Sequence, residues 1–135
     1  MHGTEGHLIA DELEGVSVIA GPNLCDRSKP ELREQTFKNP AALSSNGAIL
    51  ALTTDHPVSP LNYLPLCAAM AKKEGLSPSA ALEALTVNPA RILGIEERVG
   101  TLEKGKDADV LLIRGDVLSL EHTVEAVFID GVRVK

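Results

Sequence analysis

The stretch AILALTTDHP, residues 48–57, decides how this chain is read. Ala48, Ile49, Leu50, Ala51 and Leu52 are apolar at successive positions rather than alternate ones. A strand with one wet face alternates, whereas a strand covered on both faces runs apolar throughout, as in a parallel sheet between helices. The run stops abruptly at Thr53-Thr54-Asp55-His56-Pro57. Ligands gather at the carboxyl ends of parallel strands, because the loops converge there and side chains can be aimed at one point. A carboxylate at Asp55 could bind a divalent cation and take a proton from a water whose pKa that cation lowers. Successive side chains on an extended segment diverge, so His56 is cast as a neighbour in contact with substrate. An ordinary Asx-type turn, with Asp55 bonding local N–H groups, accounts for the same residues. On these residues alone both readings stand.

Outward from this strand the pattern repeats. Residues 16–20, VSVIA, form a second short strand ending at Gly21-Pro22. Before it, Leu8, Ile9 and Leu13 recur at helical spacing until Gly15 stops them. After it, Ser28 followed three residues later by Glu31 has the form of a capping box. Asn39-Pro40 opens a further helix, with Asn39 as N-cap, and Asn46-Gly47 closes it. Residues 64–74 read as a helix with Pro65 in its first turn, and Ser77-Pro78 and Asn88-Pro89 open two more. Helix, strand, helix, strand, helices is the rhythm of a βα-repeating fold with a parallel sheet.

Beyond Gly94 the grammar changes. Residues 109–113 and 124–129 are strands, and Asp130-Gly131 is a two-residue hairpin signal leading into residues 132–134. The chain therefore divides into a partial βα unit, residues 1–94, and an all-β tail, residues 95–135. Two parallel strands need further strands and covered faces. The architecture is thus expected to be the C-terminal part of something larger, with a small, complete α+β domain of unusual topology as the plainer alternative. A bare sheet edge and apolar face would favour self-association.

The totals narrow the function. In 135 residues the chain is 44% hydrophobic and 24% charged, an ordinary globular mix. Aromatic residues are 2% and Trp is absent, so the core is built from Leu, Ile, Val and Ala. The net charge of −6 is interspersed, without the basic patches that nucleic acid or an anionic membrane requires. No apolar run approaches the ~20 residues of a membrane span, and Met1-His2-Gly3 opens without a signal-peptide pattern. Cytoplasm is the expected location. Cys25 and Cys67 match neither a disulfide scaffold nor a CxxC site and read as buried small hydrophobes.

Two further groups carry candidate chemistry. HGTEGH, residues 2–7, offers His2 and His7, whose spacing is not the i, i+4 of a helical zinc pair. Arg27 and Lys29, in the loop after the first strand, are candidates for binding an anionic substrate group, and equally ordinary solvated loop charges. His122 reads as a surface residue.

Taken in order, TTDHP, then LTVNPARILGI, then VGTLEKGKDADVLLI resemble the C-terminal stretch of the amidohydrolase superfamily, particularly the branch around imidazolonepropionase. The resemblance is close over residues 48–113, and the HGTEGH start and the final hairpin fit it as well. It implies the C-terminal portion of a (β/α)8 TIM-type barrel, followed by strands of a small composite β-sandwich. It implies hydrolysis of a small amide or cyclic amide at a non-peptide C–N bond. One or two divalent metals are also implied, zinc first, with iron or manganese as alternatives. Asp55 corresponds to the acid at the end of the eighth strand, which binds metal and handles the proton of the attacking water. His2 corresponds to the histidine at the end of the sixth. The family's HxH pair, its bridging group and its fifth-strand histidine have no counterpart in the sequence. Two ligands fall short of a site needing three or more protein groups. The chain alone is therefore expected to be inactive and without bound metal, its partner being the missing N-terminal barrel half. The alternative is a non-catalytic assembly module that completes a barrel with another chain.

Overall fold

A computed structural model describes residues 5–135 of the chain. Two short strands, β1 (Ser17–Ala20) and β2 (Ile49–Leu52), pair in parallel, with Val18 opposite Leu50 and Ala20 opposite Leu52. Parallel neighbours need a crossover rather than a tight turn. Here the crossover carries a 3-10 turn, Pro30–Leu32, and helix α1 (Asn39–Ser45). As its unbroken apolar run requires, β2 is buried: Leu50, Ala51 and Leu52 are 2%, 2% and 6% exposed.

Three helices follow: α2 (Leu64–Lys73), α3 (Pro78–Glu83) and α4 (Val87–Leu93). Pro65 and Pro78 lie in first turns, where a missing N–H is no loss. Ser77 caps α3 as expected, its hydroxyl accepting the Ala80 N–H at 3.2 Å. Gly94 ends α4 in the left-handed conformation, φ 68°. Ala68, Ala71, Ala81 and Ala84 are fully buried, and such small side chains let the helices lie close to β2. Leu43, Leu50, Leu52 and Leu76 fill the remaining core.

Local reading failed at the first three helix starts. The apolar residues near the N-terminus form a 3-10 segment, Gly6–Glu12, broken at Ile9 (φ −131°), rather than an α-helix. Leu8 and Ile9 are 60% and 48% exposed, so no buried face holds a regular helix there. The Pro30–Leu32 turn begins after Lys29 with no side-chain cap, and the Ser28–Glu31 capping box is not its start. Asn39 sits one residue inside α1 instead of capping it, and its side-chain oxygen accepts the His7 backbone N–H at 2.7 Å.

The remaining strands form a separate antiparallel sheet in the order β3 (Val110–Arg114), β4 (Thr123–Ile129), β5 (Val132–Arg133). Asp130 and Gly131 both take positive φ (50° and 75°), as the two-residue hairpin requires. The preceding loop is gathered around the Lys106 ammonium, 2.6 Å from both the Glu96 carbonyl and the Thr101 hydroxyl. Leu118 ties the β3–β4 connection into the main core, and Lys72 on α2 bonds Asp116 at 2.7 Å beside it. Among the described residues no helix is long and apolar enough to cross a membrane.

Candidate active site

The ladder between β1 and β2 runs one residue past β2, where the Thr53 N–H bonds the Ala20 carbonyl at 3.0 Å. The chain then turns tightly. Thr53 Oγ1 accepts the Asp55 N–H (3.1 Å), the Asp55 carbonyl accepts the Val58 N–H (2.9 Å), and the Thr54 carbonyl accepts the Ser59 N–H (3.2 Å). Thr54 and Ser59 are buried, and the Ser59 hydroxyl reaches the Leu24 carbonyl at 2.7 Å, tying this turn to the loop after β1. Asp55 itself has φ 51°, a left-handed conformation that Asp tolerates better than most residues. Backbone and threonine groups help close the turn, and Asp55 lies half-buried on the wall of a cavity of about 700 Å³.

One side of the cavity is apolar, formed by Ile9, Leu13, Val18, Ile19, Val58 and Ile92. Among the described residues its charged lining is Glu5, Asp26, Glu31 and Asp55 against the ammonium of Lys29. Glu5 is engaged, accepting the Glu34 backbone N–H at 2.9 Å. An apolar pocket with a few converging polar groups is the usual form of a small-molecule site.

The candidate residues are not all brought together. His56 is exposed and does not line this cavity. Arg27 does not line it either; its guanidinium donates to the Gln35 carbonyl at 2.7 Å and so braces the loop after β1. Lys29, two residues on, faces the cavity instead. Position along a loop is visible in a sequence, but the side to which each cation turns is not. His2 lies outside the described residues. Among the described residues no three or more of His, Cys, Asp and Glu come together in a way that could hold a metal ion. The donor set around Asp55 therefore does not by itself fit a divalent metal centre.

Asn88 is the site-positioning residue that local reading missed. Taken from the sequence as the opening of a helix, it lies instead inside α4, which starts at Val87. It is 9% exposed, and its side-chain amide donates to the Leu50 carbonyl of β2 at 3.0 Å. The Leu52 N–H bonds the Ala84 carbonyl at 3.0 Å on the same strand. The α3–α4 segment thus fixes the strand that delivers Asp55.

The family model described as the amidohydrolase family matches residues 1–134. The chain belongs to the amidohydrolase family. It is 35% identical over 114 residues to an imidazolonepropionase of Herpetosiphon aurantiacus, a match covering 79% of this chain and 27% of that protein. To the imidazolonepropionase of Thermoplasma volcanium it is 36% identical over 87 residues, 62% of this chain and 21% of that one. The structure superposes on an amidohydrolase from Thermotoga maritima with a TM-score of 0.93 and 43% identity, over 99% of this chain and 36% of that chain. It also resembles an adenosine deaminase from Xanthomonas campestris crystallised with bound zinc, with a TM-score of 0.60 and 28% identity, over 98% of this chain and 34% of that one. The amidohydrolase chain thus spans between about a fifth and a little over a third of these relatives.

Proposed function

We propose that this chain is the C-terminal part of a metal-dependent amidohydrolase that cleaves a non-peptide C–N bond in a small amide or cyclic amide, on the imidazolonepropionase-like branch. In this reading β1 and β2 are the last two strands of a (β/α)8 barrel, residues 1–94 belong to that barrel, and residues 95–135 belong to a small β domain. The observation that carries the reading is the match of almost the whole chain, at a TM-score of 0.93, to about a third of the Thermotoga amidohydrolase, with Asp55 on a cavity wall at the end of β2.

Asp55 is assigned the catalytic carboxylate. Its position after the buried strand, braced through Thr53 and the Val58 turn, suits a group that must hold and release a proton at a fixed point. The apolar wall takes the carbon skeleton of the substrate and helps exclude water. A divalent metal, zinc first, belongs to the complete enzyme. Asp55 and His2 are assigned to its ligand set, and the other ligands come from strands this chain does not include. The isolated chain is accordingly assigned no hydrolytic activity.

Reconstitution tests the reading. The chain is produced with and without the upstream two-thirds of the amidohydrolase and assayed for ring opening of an imidazolone-type cyclic amide, with metal content measured alongside. The combined protein is expected to bind metal and hydrolyse, and the chain alone to do neither. Stoichiometric metal and turnover in the chain alone would contradict the proposal.

A further inference from the structure

We propose that Ser59 is a positioning residue of the site: its buried hydroxyl pins the loop after β1 to the turn that carries Asp55, and so holds the substrate-binding part of that loop in place. The inference rests on the function proposed above. Ser59 is 1% exposed and is bonded in two directions. Its N–H donates to the Thr54 carbonyl at 3.2 Å, within the Asp55 turn. Its hydroxyl donates to the Leu24 carbonyl at 2.7 Å, across 35 residues of sequence. Val58, beside Ser59, and Cys25, beside Leu24, both line the cavity. The bond therefore joins two segments of the cavity wall.

The same loop is fastened at its far end by Gln35, which is 4% exposed. The Gln35 side-chain amide donates to the Pro22 carbonyl at 2.8 Å, and its side-chain oxygen accepts the Cys25 thiol at 3.4 Å. Its backbone carbonyl accepts the Arg27 guanidinium at 2.7 Å. Gln35 thus closes residues 22–35 on themselves, and Ser59 attaches the closed loop to the Asp55 turn. Every one of these bonds lies within residues 22–59. Asp26, Ser28 and Lys29 lie between the two fastenings and line the cavity.

The loops after barrel strands supply the substrate contacts, and a loop that must be ordered by its ligand weakens binding. Asp26, Ser28 and Lys29 are exposed, so burial does not hold them. Their order comes from the polar bonds on either side. A buried hydroxyl does this with a defined direction, and an apolar residue at position 59 would leave the Leu24 carbonyl without that partner. The Asp55 turn, by contrast, keeps its own bonds through Thr53 and Val58 whether or not the hydroxyl is present. Loss of the hydroxyl should therefore weaken substrate binding and spare proton handling. Its signature is a raised KM at constant kcat.

Steady-state kinetics of the complete amidohydrolase on an imidazolone-type cyclic amide separates the two effects. Ser59→Ala should raise KM by about three- to tenfold, the range of one lost hydrogen bond, with kcat within about twofold of the parent. Gln35→Met, which loosens the other end of the loop, should raise KM in the same way. The double variant should raise it by less than the product of the two, since both act on one loop. Lys72→Met loses its 2.7 Å bond to Asp116, away from the cavity, and should leave KM unchanged. Hydrogen exchange at residues 24–29 should quicken in Ser59→Ala while β2 stays protected, and circular dichroism verifies that each variant folds. A parent without turnover would overturn the proposed function and this inference with it. With an active parent, an unchanged KM in Ser59→Ala, a kcat that falls as far as KM rises, or an equal rise of KM in Lys72→Met would overturn the positioning role alone.

Discussion

The side chain of Asn88 on α4 donates to the backbone carbonyl of Leu50 on β2 at 3.0 Å, across 38 residues of sequence. Helix α4 thereby anchors β2 five residues before Asp55. Asn88→Ala should destabilise the chain by about 1–3 kcal/mol, because it strands a buried carbonyl. Asn88→Asp should be at least as harmful, since a carboxylate oxygen would face that carbonyl. Urea denaturation of the two variants measures both effects.

Gly21 leaves β1 at φ 141°, and a β-carbon there would run into the Thr53 carbonyl oxygen. Both the backbone conformation and the space demand glycine. Gly21→Ala is expected to force β1 and β2 apart at the end that carries Asp55, lowering stability by more than about 2 kcal/mol. Thermal unfolding measures the loss.

Asp116 is held below the usual carboxylate range, first by the hydrogen bond from Lys72 and then by the Leu118 N–H. A depressed folded-state pKa stabilises above the unfolded value, about 3.9 for Asp, and the stabilisation fades as pH falls through the folded value. Lys72→Met should therefore be less stable than the parent at neutral pH. Its deficit should shrink below about pH 4 and also in high salt, since Asp116 is exposed. Melting temperatures across a pH series, at two salt concentrations, decide the matter.

The two cysteines should separate by reactivity. Cys67 is 1% exposed and burial pushes its thiol pKa up, whereas Cys25 is only half-buried. A disulfide reagent at mildly alkaline pH should label Cys25 in the native chain and reach Cys67 only after denaturation. Equal native rates would contradict the placement of Cys67.

Much of this was legible in the sequence, for physical reasons. The apolar run at residues 48–52 announced a doubly covered strand, and Leu50, Ala51 and Leu52 are buried. Ser77 and Asp130-Gly131 act through their own backbone surroundings, so their cap and turn chemistry transferred directly. Residues whose side chains serve distant segments were misread. Asn39 and Asn88 have the form of helix caps, yet they bond His7 and Leu50, 32 and 38 residues away. The site was legible to the same extent. The place of Asp55 followed from the strand end, while the turning away of Arg27 and the inward turn of Lys29 depend on how the loop folds back over Gln35.

The most direct test of the central claim is kcat/KM of the complete amidohydrolase carrying Asp55→Asn, on the cyclic amide proposed as its substrate. Asn tolerates the left-handed backbone at this position, so circular dichroism should report an unchanged fold. If Asp55 handles the proton as proposed, its loss should lower kcat/KM by at least about 10²-fold. A variant within a few-fold of the parent would show that Asp55 is only a turn residue at the end of β2.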